Sequence, residues 1–234
     1  LVNGVALYGG FDGTETARSD RDAKANVTIL DGGKGGSVVS VPVSIAVTAT
    51  IDGFTIRNGY ATSGAGVVVL GKSVIVNNVI TGNQATGDGG GIRAWGGVVS
   101  ITNNVISGNS AVNGGGIHVD GSNYTITNNL IANNSATNYG GGINTRARLT
   151  ASGNTIAGNT APYGGGLAYY SGFTVTVSNT IVAFNSSGIF RDYGTLDIRN
   201  SDVFSNTAYN YSGLTDPTGT KGNISQDPVF VDRP

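Results

Sequence analysis

Cysteine and methionine are absent from the 234-residue chain. Their absence removes a thiol nucleophile, a Cys-ligated metal and a disulfide framework together. Charge is sparse as well: Asp, Glu, Lys and Arg make up 12% of the residues, with a net charge of −1. No basic surface is available for phosphates, which argues against nucleic acid as a partner. No apolar run approaches the roughly 18 residues that cross a bilayer as a helix, so no membrane span is expected. Low charge can also mark a disordered chain, but here 38% of residues are apolar and they fall in a strict period.

That period is set by glycine, of which there are 39. Gly89-Gly90-Gly91-Ile92 returns as Gly114-Gly115-Gly116-Ile117, Gly140-Gly141-Gly142-Ile143 and Gly164-Gly165-Gly166-Leu167, with Gly64-Ala65-Gly66-Val67 as a weaker precursor. The steps from Val67 to Ile92, Ile117, Ile143 and Leu167 are 25, 25, 26 and 24 residues. A period of this size marks a solenoid, in which each repeat buries its apolar face against its neighbours. Glycine-rich loops also cradle phosphates and calcium. The phosphate loop needs a Lys or a following helix, and the calcium repeat needs an Asp in every copy, whereas only Asp88 adjoins a glycine run. Tight turning and close packing between coils account for the runs instead. Neither a metal nor a cofactor is expected.

Two more apolar columns run beside the glycines: Val74, Val99, Tyr124, Leu149, Val175, Leu196, and Ile80, Ile106, Ile131, Ile156, Ile181, Val203. Three columns of short, β-branched segments imply three strands per coil of about 25 residues, stacked in parallel about 4.8 Å apart. Parallel crossovers are right-handed, so the expected fold is an all-β right-handed parallel β-helix of about eight coils. Residues 37–206 form its coils. Residues 1–36 hold a charged stretch from Asp12 to Lys24 that suits a polar N-terminal cap followed by a first strand. Residues 207–234 read as a loop and a last strand at Gln226–Val231. Leu1 to Tyr8 already reads as a strand, so the chain is expected to begin inside a longer precursor.

Asparagine forms columns of its own. Asn78, Asn104, Asn129, Asn154, Asn179 and Asn200 make one; Asn83, Asn109, Asn134, Asn159, Asn185 and Asn206 make another. Asn tolerates left-handed corners, and stacked amides can bond along the ladder, so a structural role is assigned to both.

Tyr8-Gly9-Gly10-Phe11-Asp12-Gly13-Thr14-Glu15, Arg21-Asp22, Thr28-Ile29-Leu30-Asp31-Gly32 and Ile51-Asp52-Gly53-Phe54-Thr55-Ile56 resemble the opening of secreted bacterial parallel β-helix repeat proteins. Asn129-Leu130-Ile131-Ala132-Asn133-Asn134-Ser135-Ala136 with Gly140-Gly141-Gly142-Ile143 is similar to their internal repeat, and Asp227-Pro228-Val229-Phe230-Val231-Asp232 to the segment before their usual end. The resemblance spans nearly the whole chain and implies a bacterial protein that is secreted or held at the cell surface. Kinship with chlamydial polymorphic outer-membrane repeats is looser, because those carry Gly-Gly-Ala-Ile and Phe-x-x-Asn. Pectate lyases share the superfold, yet Trp-Ile-Asp-His and Arg-x-Pro-x-x-Arg do not occur here, so their activity does not carry over.

One face has chemical variety. Ile92, Ile117, Ile143 and Leu167 point inward, and alternation sends Ala94, Val119 and Thr145 inward too. Arg93, His118, Asn144 and Ala168 are then expected on the outside, and Trp95, Asp120, Arg146 and Tyr170 in the next outward column. Tyr139 and Tyr163 would border it, with Arg148, Phe190, Arg191, Asp192 and Tyr193 extending it. Rings that stack on pyranose faces, beside Arg and Asp, suit a polysaccharide or cell-surface glycan; a plain solvated sheet is the alternative. The expected role is a non-catalytic, adhesin-like or structural monomer binding through Trp95, Asp120, Arg146, Tyr170, His118, Tyr139 and Tyr163. The rival is a polysaccharide lyase with His118 as base, Arg146 neutralising a uronate, and Asp120 and Arg93 alongside. A glycosidase needs carboxylates about 5–9.5 Å apart, and Asp120 and Asp192 would stand roughly 14 Å apart. An ice-binding surface needs a regular Thr-x-Thr ladder, and Thr125-Thr127 and Thr174-Thr176 read as isolated.

Overall fold

The structure is a computed structural model that describes residues 4–43 and 47–231. The expected strand from Leu1 lies partly outside that range, as do Asp232 and the chain end. Among the described residues every strand pairing is parallel, and the chain winds through about seven turns of about 25 residues as a right-handed solenoid. One wall is an eight-stranded sheet that begins with Thr28–Asp31 and ends with Asp202–Phe204. The other two walls merge into a single 14-stranded sheet through the long strands Ile117–Thr127 and Ile143–Ser152, each of which turns a corner without breaking. A fourth ladder of four short strands, Tyr60–Ala61 to Ser135–Tyr139, precedes the glycine runs. Among the described residues no helix is long and apolar enough to cross a membrane, which says nothing of a β-barrel.

The core is a stack of like on like. Ile92, Ile117, Ile143 and Leu167 pair in register and are fully buried, as are Ile80, Ile106, Ile131 and Ile156. Two expected positions slip by one residue. Ser73, not Val74, pairs with Val99 and takes the inward site. Val182, not Ile181, follows Ile156 inward. A slip of one exchanges the inner and outer faces, so Ile181 turns partly outward.

The asparagine ladders form one rung per coil. Asn104 Nδ2 donates to Asn129 Oδ1 at 3.0 Å and to Ile75 O at 2.9 Å, while its backbone N–H also donates to Asn129 Oδ1. Asn83, Asn109, Asn134, Asn159, Asn185 and Asn206 repeat the scheme. The first ladder departs from expectation after Asn154: Asn179 and Asn200 sit at exposed corners with φ of 49°, and Thr180 and Ser201 occupy the buried rungs. Adjacent Asn-Thr and Asn-Ser pairs let either residue fill the rung on paper; the register chooses the second.

Threonines that look isolated along the chain meet in register. Ser100, Thr125, Thr150 and Thr176 make one outward column, and Thr102, Thr127, Ser152 and Ser178 the next. The grid is four coils long, bounded by Val74 and Val76 on one side and by Asp197 and Arg199 on the other. Its hydroxyls bond sideways, with Thr102 Oγ1 to Thr127 Oγ1 at 3.0 Å and Ser178 to Ser152 at 3.1 Å.

At the start of the stack, Ala6–Tyr8 pairs with Ala49–Asp52, and the charged segment folds back over it. Arg21 donates to Asp52 and to Gly9 O, Arg18 donates to Tyr8 Oη at 2.8 Å, and both guanidinium groups lie over the Tyr8 ring. At the other end, residues 226–231 carry no strand, contrary to expectation. They are tied instead by Gln226 N–H to Asp202 Oδ1 and by Phe230 against Phe184, ring centres 5.9 Å apart.

Candidate functional site

The glycine runs shape the site. Gly114 has φ of 65°, open to an L side chain only at a cost, and a Cβ there would stand 2.7 Å from His118 Cβ. The turn therefore folds directly onto the side chain four residues later. Gly89 does the same to Arg93, and Gly140 to Asn144. Side chains that leave the core in this column are at once covered by their own turns.

This geometry overturns part of the expected surface. Alternation places Arg93, His118, Asn144 and Ala168 outside the core, as anticipated, yet all four are buried, and His118 is 0% exposed. They form a polar seam between sheet and turns. Asn113 Nδ2 donates to Asp88 Oδ1 at 2.9 Å, His118 Nδ1 lies 3.7 Å from that same oxygen, and Asn144 Nδ2 reaches both His118 Nδ1 and Tyr170 Oη at 3.3 Å. Arg93 reaches Asp120 Oδ2 at 3.6 Å. Burial, reinforced by the Arg93 and Arg146 charges, lowers the His118 pKa from its ordinary 6.5 to about 3, against the opposing pull of Asp88. A neutral, enclosed imidazole that weak cannot take a proton from a substrate lying on the surface. The lyase constellation of His118, Arg146, Asp120 and Arg93 is thus split: two of its members are sealed in, and only Arg146 and part of Asp120 face solvent.

The next column outward is open. Trp95 pairs in register with Asp120, and Asp120 with Arg146; Tyr170 follows, its N–H bonded to Thr145 O. Trp95 is 61% exposed, and its indole leans over Gly121, where an added Cβ would stand 3.8 Å from the ring. Arg146 is held over the Tyr170 ring, its guanidinium carbon 4.4 Å from the centroid. Tyr139 stacks on Tyr163 at 5.1 Å and touches Tyr170 at the same distance, and Phe190 closes the group at 5.3 Å from Tyr163. Tyr139 and Tyr163 form the border expected of them. Phe190 joins it because it pairs with Ala168 in the outward column, whereas Arg191 pairs with Tyr169 on the inward side. Asp192 follows Tyr170 and so stands three coils from Asp120, about 14 Å, too far to share a bond. Asn113 and Asp88 form the lid of the seam; the sequence marks Asp88 only as an acid beside a glycine run and gives no sign of Asn113 beyond its place directly before the next run.

A cavity of about 1340 Å³ opens elsewhere, between the N-terminal segment and the corner carrying Asn77 and Asn103. Its charges are largely engaged: Arg21 pairs with Asp52, and Asp22 accepts from the N–H groups of Lys24 and Ala25. It is the gap beneath the cap, remote from the aromatic column.

Residues 43–203 match the family described as the right-handed β-helix region. The chain belongs to this family. Comparison of this right-handed β-helix protein with curated proteins and with solved structures gave no match. The family fixes the winding of the coils and leaves the chemistry to the outward side chains.

Proposed function

We propose that this right-handed β-helix protein is a non-catalytic, adhesin-like module at the bacterial cell surface or outside the cell, and that it contacts polysaccharide through the face carrying Trp95 and Tyr170. The observation that carries the reading is the exposure of Trp95 in one column with Arg146, beside the ring group of Tyr139, Tyr163, Tyr170 and Phe190. Much of the outward surface elsewhere is Ser, Thr and Asn, so aromatic rings collect where a sugar's C–H face can stack while its hydroxyls meet Asp120 and Arg146. The extracellular setting is supported by the resemblance of the opening and internal repeats to secreted β-helix proteins.

A glycan array tests the contact. Wild type should bind a defined set of polysaccharides, and Trp95→Ala should lose about tenfold or more in affinity, the range expected for an anchoring aromatic. Trp95 is exposed, so its loss leaves the core intact. Identical profiles for the two proteins would remove the basis of the reading.

A further inference from the structure

The described arginines differ in how they are satisfied, and two of them, Arg18 and Arg191, bond to Tyr8 Oη and to Gly213 O instead of a carboxylate. Arg21, Arg57, Arg93 and Arg199 each face a carboxylate within 4 Å. Arg146 and Arg148 form no ion pair among the described residues, although both lie exposed on one strand, Ile143–Ser152, on either side of buried Ala147. In register, the carboxylate nearest to Arg146 is Asp120, and it turns to Arg93 instead. The Tyr170 ring takes up one face of the Arg146 guanidinium and leaves its N–H edges for a ligand. A guanidinium presented this way matches the two oxygens of a carboxylate or sulfate.

Distances along the stack fit an extended chain. Trp95 and Arg146 are two coils apart along the axis, roughly 10 Å, and Arg148 shares the coil of Arg146, beside it at the corner of the strand. A polymer lying along the axis can set one sugar on the indole and bring the acidic group of a following sugar to Arg146, with Arg148 flanking it on the same coil. We infer that the glycan taken by this face is acidic, with carboxylate or sulfate groups held by Arg146 and Arg148 while a sugar ring stacks on Trp95. The inference rests on the glycan-contact reading above and narrows it to one class of polymer.

Binding of the whole protein to polygalacturonate, a sulfated galactan and an uncharged galactan separates the two. At low salt, at least one charged polymer should bind about tenfold or more tightly than the neutral one, and the difference should fade near 1 M salt, where the screening length is about 3 Å. Arg146→Gln with Arg148→Gln should bring the charged polymers to the neutral level and leave the neutral affinity in place. Trp95→Ala should weaken all that bind. Which charged polymer binds better tells carboxylate from sulfate. Equal binding of charged and neutral polymers, untouched by the double substitution but lost in Trp95→Ala, overturns the acidic inference and keeps the sugar contact. Loss on the double substitution with no effect of Trp95→Ala overturns the shared site, and no binding to any of the three overturns both readings.

Discussion

The backbone N–H of Asn154 donates to Thr180 Oγ1 at 3.4 Å, so a hydroxyl, not the amide of Asn179 beside it, carries the buried ladder into the next coil. Each asparagine above this point serves several partners. Asn129 accepts from Asn104 N–H and Nδ2 and donates to Ile101 O, Thr127 O and Asn154 Oδ1. Asn129→Ala leaves several buried groups unpaired at about 1–3 kcal/mol each and should cost about 2–5 kcal/mol in all. Asn179→Ala removes no rung and should cost about 1–2 kcal/mol, the penalty of a left-handed Ala. Urea melts of the two variants check the order, and equal losses would place Asn179 back in the ladder.

Glycine substitutions should divide the same way. A Cβ at Gly115 would stand 2.3 Å from Ser135 O, a backbone atom of the next coil that cannot move alone. A Cβ at Gly82 meets nothing within 4 Å, and only its φ of 64° opposes the change. Gly82→Ala is therefore expected to fold with a loss of about 1–2 kcal/mol. Gly115→Ala should lose several times as much, or the stacking of its coil, read by circular dichroism and thermal melting.

His118 supplies a clean pH signature because it is the sole histidine. Its folded pKa of about 3 lies far below the ordinary 6.5, so between these values the unfolded chain binds a proton that the folded chain refuses. Stability should accordingly fall as pH drops from about 6.5, by roughly 2–3 kcal/mol at pH 4.5. Carboxylates with lowered pKa, such as Asp31 and Asp197, add their own loss only below about pH 4. His118→Gln should flatten the slope between pH 6.5 and 4.5, and an unchanged slope would mean that His118 is protonated in the fold.

The winding, the parallel pairing and the inward aliphatic columns were legible in the sequence because a repeat near 25 residues and two-residue alternation are properties of neighbouring letters. The register slips at Ser73, Val182 and Thr180 were not, since each turns on where a coil gains or loses one residue in a corner. Parity placed His118 outside the core correctly. Its burial depends on the Gly114 turn folding back over it, a contact that alternation along a strand does not encode. Trp95 and Arg146 stayed open because no such turn reaches one column further along.

A crystal soaked with the best-binding oligosaccharide tests the central claim most directly. We predict sugar density along the stack beside Trp95, with one ring against the indole and polar groups at Arg146. Density confined to the gap beneath the cap, near Arg18 and Lys24, or along the Asn77–Asn103 corner would contradict it.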